Sequence, residues 1–266
     1  MNRHFACTAC GKCCSGLLPL LLDEALEHAE RFPLAMVWTV VRPDSKAFDL
    51  TKRIGTTVKV ARRREVAVQI SAMAYMPEAV MCPALTEENL CGIHPSKPIR
   101  CRTMPFYPYQ EESDQDKLLI PRAGWTCDIS GEAPLVYRDE KILAKGDFDE
   151  ERHRLEEQAH VVKAYANRLV ASSASLVREL EVLSKRASGG RLALGFTGIL
   201  PRLPNGDIMA FAKRQLPVLR RFANITASEA SHRKFHDYYQ LSIRGLEIVS
   251  GSCVGDTLTP MEEERS

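Results

Sequence analysis

The rhythm of hydrophobic and polar positions along the chain changes near residue 146. Before it, runs at 36–41, 56–61, 66–71 and 117–121 alternate with stretches of Pro, Gly and charge, and their β-branched residues predict short strands. Asp23 is placed to cap a short helix through about residue 32, with Glu24 and Glu27 near its positive end. Past the change, residues 148–187 hold neither Pro nor Gly. There Leu155, Ala159, Val162, Ala166, Leu169, Ser173, Leu176, Leu180 and Leu183 recur at gaps of four and three, the spacing of one helix face. Ser173 is the polar member of that stripe. The Ser-Ser-Ala-Ser run at 172–175 offers a turn between two antiparallel helices as the alternative to one long helix.

Two further helices are expected beyond the Gly189-Gly190 break. One starts at Asp207 and runs to about 222, with Pro217 expected to kink or divide it. The other is capped by Thr226 or Ser228 and reaches about 249, with Glu229 completing a capping box with Thr226. The pattern as a whole predicts an α+β fold. A small cysteine-rich antiparallel-sheet module occupies 1–145, with cysteine loops at one end of its sheet, and a mostly helical region at 146–266 packs on it.

Charge excludes several function classes. Thirty-six Lys and Arg against thirty-four Asp and Glu leave a net charge of +2, so no global field draws in nucleic acid or an anionic membrane. Arg62, Arg63 and Arg64 form a basic run between two predicted strands; lacking interleaved aromatics, it reads as a solvated hairpin turn rather than a phosphate site. The opening MNRHFACTAC has no apolar signal core, and the apolar stretch at 17–22 is broken by Pro19 and too short to span a bilayer. A cytoplasmic protein with no membrane and no nucleic-acid partner is expected. At 266 residues and 45% hydrophobic, the chain is long enough to bury a core without cross-links throughout.

The chemistry lies in the cysteines. Cys7, Cys10, Cys13 and Cys14 fall in the run CTACGKCC, a density that packing alone does not require. An odd total of nine, with no visible signal peptide, makes a disulfide framework the weaker explanation. A Cys-x2-Cys turn aims two sulfurs at one ion about 2.3 Å away, in zinc knuckles and iron-sulfur sites alike. Cys82, Cys91, Cys101 and Cys127 follow among Pro and Gly, in loops suited to completing such a site. These eight are the candidate metal ligands, and they make 1–145 a cysteine-cluster metal-binding domain. Adjacent Cys13 and Cys14 serve different metals or different edges of one cluster, or one of them stays outside the ligand set. Eight thiolates on one divalent ion would carry a net charge of about −6, so two centres, or one cluster with protonated bystanders, is the more sensible count. Lys12, Arg100 and Arg102 flank the cysteines as candidates to lower thiol pKa values and balance a cofactor's charge. His4 and His94 are alternative ligands in a mixed site, His94 the better placed, and Cys253 reads as a bystander.

These residues resemble a known family, the YkgJ-type cysteine-cluster proteins. The matching positions are the CxxCxxCC run, Cys82-Pro83, Cys91, Pro98, Cys101-Arg102 and Pro105-Phe106. The resemblance spans roughly the first half of the chain and implies a zinc- or iron-chelating domain, not a particular reaction. A related cysteine pattern occurs in flagellin lysine methylases, though the Lys97-Pro98-Ile99-Arg100-Cys101 segment is closer to the YkgJ type.

Zinc and an iron-sulfur cluster both suit tetrahedral thiolates. The thiols outnumber what one structural zinc needs, which favours iron-sulfur. Against it, the fourth cysteine of the run follows directly instead of after the three residues of bacterial ferredoxins. No P-loop, GxGxxG, HExxH or GxSxG is present, and no catalytic residue can be named. His232, His236, Tyr238 and Tyr239 read as surface and core of a helix, and the acidic 262–264 as a disordered tail. Three readings follow: a metal-binding protein with a structural, redox or carrier role; an enzyme using the centre for redox chemistry or protein side-chain modification; and a zinc-stapled interaction module whose helical half docks a protein partner.

Overall fold

A computed structural model describes residues 2–62, 64–186 and 189–251. Eight strands and seven α-helices are present among them. In order they are β1 (Asn2–His4), β2 (Leu18–Leu20), α1 (Leu22–Glu27), β3 (Leu34–Val41), α2 (Phe48–Ile54), β4 (Thr56–Ala61) and β5 (Arg64–Ala74). After them come α3 (Ile99–Thr103), β6 (Leu135–Arg138), β7 (Lys141–Ile142), α4 (Gly146–Ser172), α5 (Ala174–Lys185), β8 (Gly190–Gly195), α6 (Ile208–Thr226) and α7 (Arg233–Val249). The fold is α+β, with antiparallel sheets and a mostly helical C-terminal half.

The main sheet has the order β2-β5-β3-β8, with β4 pairing β5. β3 lies against β5 along its whole length, from Leu34↔Ala74 to Val41↔Ala67. Every residue of β3 except Thr39 is buried, the mark of an unbroken apolar run covered on both faces. Trp38 packs edge-on against Tyr165 of α4 at 5.9 Å, while Tyr238 of α7 donates its hydroxyl to the Leu34 carbonyl. The 56–61 strand matches its expected bounds, and the other two grow to 34–41 and 64–74. β8 was not expected: GRLALG carries too little β-branched character to announce a strand, yet it pairs with β3 from Ala35↔Gly195 to Val40↔Gly190. A second sheet, β1-β6-β7, is closed by a two-residue hairpin whose Asp139 and Glu140 both have positive φ.

Three expectations are corrected. The predicted strand at 117–121 is a 3₁₀ turn, Asp116–Leu119. Here the buried Gln115 amide takes the Tyr107 N–H and donates to the carbonyls of Tyr107, Gln110 and Glu111, rolling the segment around itself so that Leu119 packs with Phe106 and Tyr137. The first helix begins at Leu22, because Glu24 reaches back to the Leu21 N–H, and ends at Glu27 short of residue 32. Thr226 closes α6 instead of capping α7: its hydroxyl donates to the Phe222 carbonyl, and a 3₁₀ turn, Ala230–His232, leads into α7.

The long stripe is broken at Ser173, whose side chain accepts the Leu176 N–H and caps α5. Leu155, Ala159, Val162, Ala166, Leu176, Leu180 and Leu183 are buried as the spacing required. Asp207 caps α6, which runs undivided through Pro217. Arg63, residue 187, Cys253 and the acidic 262–264 lie outside the described residues. Among the described residues no helix is long and apolar enough to cross a membrane.

Candidate metal centre

The CTACGKCC run is held at both ends by backbone pairing. At its start Ala6 and Asp128 exchange both backbone hydrogen bonds, 2.8 and 3.0 Å, and the Thr8 hydroxyl donates to the Thr126 carbonyl. Cys7 therefore follows, and Cys127 precedes, a paired residue. At its end Ser15 bridges Met81, and the Cys82 N–H donates to the Cys14 carbonyl at 2.8 Å. Between these anchors the chain must reverse. Ala9 and Gly11 take positive φ of 54° and 71°, and the Cys14 N–H closes a turn on the Gly11 carbonyl.

The second cysteine segment is folded onto the first by the end of the main sheet. β2 begins at Leu18 directly opposite Ala74, the last residue of β5, so the chain before one strand and after the other leaves at the same place. There Leu85 bridges Cys91, and the Gly92 N–H bonds the Ala84 carbonyl at 2.7 Å. Cys101 sits in α3, whose first N–H, from Ile99, donates to Glu24 Oε1 at 2.7 Å.

The eight described cysteines are free thiols, Cys7 and Cys13 exposed and the others partly buried. Their ionisation is interdependent. Backbone N–H donation from Thr126, then from Lys12, holds Cys10 down at about 7. Cys13 is lowered to about 6 because the Cys14 thiol hydrogen-bonds to it, with the Lys97 charge helping, and Cys14 is raised in return. Burial pushes Cys101 up to about 12, and the charges of Cys82 and Cys91 add to this while Arg100 opposes it. Burial also raises Cys82, with Cys91 acting in the same sense and Arg31 against. Cys127 is raised by burial and then by Cys10, Cys7 and Cys13. Thiols that oppose one another's ionisation are a donor set short of positive charge, and a soft cation relieves that repulsion. In this respect the residues fit a thiophilic metal. They are gathered but not closed: among the described residues no three His, Cys, Asp or Glu side chains already form a metal-binding group.

The flanking cations behave differently from one another. Lys12 is exposed and offers its backbone N–H to Cys10. Arg100 is buried, 3.1 Å from Glu151, and donates to the Phe106 carbonyl. Arg102 spans Asp147 and Glu150 of α4 at 3.2 and 3.0 Å. His4 has Nδ1 at 2.6 Å from the Ala133 carbonyl oxygen, and His94 is exposed at the start of a 3₁₀ turn. Lys97, Arg31, Thr8 and Thr126 act on the thiols and were missed. Lys97, four residues before Cys101, and Thr8 and Thr126, each next to a cysteine, carried a positional signal; Arg31, distant in sequence, carried none.

An open slot of about 170 Å³ is lined by Phe5, Arg102, Pro105, Phe106, Val136 and Phe148 among others, and by no described cysteine.

Residues 6–128, a span containing all eight of these cysteines, match the family model described as "CxxCxxCC: Putative zinc- or iron-chelating domain". No curated protein and no solved structure matches the chain.

Proposed function

We propose, for a chain whose residues 6–128 carry the CxxCxxCC domain, that the protein holds zinc or an iron-sulfur cluster through Cys7, Cys10, Cys13, Cys14, Cys82, Cys91, Cys101 and Cys127. Its role on this reading is structural, redox or metal carriage. The observation that carries it is the convergence of free thiols from separate stretches of chain that bias one another's ionisation. Lys97 lends charge to Cys13, and Arg100 lends charge to Cys101 from within the core. Thiol number favours iron-sulfur over a single zinc. A bound cluster supplies one-electron exchange; bound zinc supplies a tetrahedral staple. The test is metal analysis with an absorption spectrum on protein purified without oxygen. Iron with visible sulfur-to-iron absorption supports the cluster, and colourless protein with stoichiometric zinc supports the staple. Protein free of both, and unable to take up either, overturns the reading.

The open slot lined by Arg102, the residue after Cys101, favours a second reading, an enzyme that uses the centre on a substrate side chain. The resemblance to flagellin lysine methylases points the same way. Such a centre keeps an exchangeable ligand position. Cyanide or imidazole added to the loaded protein then shifts its spectrum; a spectrum unmoved by either argues for a saturated, non-catalytic centre.

A further inference from the structure

We propose that the eight thiols form two separate four-sulfur sites: Cys7, Cys10, Cys13 and Cys127 in one, and Cys14, Cys82, Cys91 and Cys101 in the other. This rests on the thiolate-metal reading above and adds its division. The class of ligand is a thiophilic centre that accepts tetrahedral sulfur, one per site.

The backbone makes the division. Because the run is anchored at its start to 126–128 and at its end to 80–82, its first thiols are delivered to Cys127 and its last to Cys82. The Leu85–Cys91 bridge and the α3 anchor on Glu24 then bring Cys91 and Cys101 to the Cys82 end. Among the described residues nothing comparable ties Cys127 to that end: its neighbour Asp128 pairs with Ala6, and Thr126 bonds Thr8.

Backbone pairing also splits the adjacent pair: the Cys14 carbonyl accepts the Cys82 N–H at 2.8 Å, which places Cys14 with the second group and makes the Cys13–Cys14 link the seam. The second group has four sulfurs without Cys13 and the first has three, which assigns Cys13 to the first. Charge agrees. Four thiolates on a divalent ion leave about −2 per site, against about −6 for eight on one ion, a burden that Lys97 and Arg31 are too few to offset.

The experiment is a Co²⁺ titration of the full-length, reduced, metal-free protein, read by thiolate-to-cobalt charge transfer and tetrahedral d–d absorption. Two equivalents are expected at saturation. Cys10→Ser and Cys127→Ser are each expected to halve the capacity, as are Cys82→Ser and Cys91→Ser, and a variant carrying one change from each group binds none tightly. Saturation of the unaltered protein at one equivalent overturns the division, whatever the variants do, and so does loss of all binding from well-folded variants in a single group. Failure of the underlying reading looks different: the unaltered protein then takes no Co²⁺ with a thiolate spectrum.

Discussion

Glu24 is a charged residue with 8% of its surface exposed, and its two carboxylate oxygens do separate tasks. Oε2 accepts the Leu21 N–H at 3.0 Å and Oε1 the Ile99 N–H at 2.7 Å, joining the start of α1 to the helix that carries Cys101. Glu24→Ala strands two buried donors and is expected to cost about 2–5 kcal/mol in denaturant unfolding. Nearby, Arg100 and Glu151 form an ion pair with each side chain about 5% exposed. Arg100→Leu leaves a buried carboxylate unpaired, at a cost of about 3–5 kcal/mol. Burial already raises the Glu151 pKa, and Arg100 opposes that. Without Arg100 the folded-state pKa rises further above the unfolded value. The variant's deficit is therefore largest where Glu151 is charged and shrinks as pH falls and the carboxyl protonates, a trend that unfolding curves at neutral and acid pH will read. The cysteines were legible at this scale because ligand spacing is local chemistry. Glu24 was legible only as a first-turn acid, since its second partner lies 75 residues away.

At the scale of elements, legibility followed how far each signal was local. The 56–61 strand alternates buried and exposed positions and was found at its bounds. The α4–α5 stripe was found too, and its one polar member proved to be the cap that divides it. Ser173→Ala is expected to cost about 1 kcal/mol, measured by thermal unfolding. Segments whose conformation is decided by distant partners were misread, as at 116–119, where a buried glutamine outweighs intrinsic preference. Glycines give a paired test. A Cβ on Gly206 would stand 1.7 Å from the Leu200 carbonyl oxygen, so Gly206→Ala must displace backbone and is expected to be strongly destabilising. A Cβ on Gly245, within α7, meets nothing within 4 Å, and Gly245→Ala is expected to stabilise by about 0.5–1 kcal/mol.

For the whole molecule, the main core meets the cysteine loops at its edge, through Val80, Cys82 and Ile93, while Ile99 packs in a second cluster with Leu21 and Leu155. Among the described cysteines, Cys82 alone packs against the large hydrophobic cluster, from its edge, while that cluster joins the sheet to α4, α5, α6 and α7. Removing metal is therefore expected to leave the far-ultraviolet dichroism largely intact while opening 7–14 and 82–101 to proteolysis; limited digestion before and after chelation, under reducing conditions, will show it. This differs from a small zinc finger, which unfolds outright when its metal is withdrawn. Composition already implied a core that needs no staple. The place where the helical half enters the sheet was hidden, because β8 declares itself only through its partner.

That late strand has a consequence during synthesis. β3 is complete once Val41 is made, and its second edge is covered only when Gly190–Gly195 arrives. At ~5–20 residues per second the interval is about 7 to 30 seconds, during which a nearly all-apolar strand presents a bare edge to other nascent chains. A polypeptide stopped just short of Gly190 owns every thiol of the proposed centres and still lacks the strand that makes it safe to release.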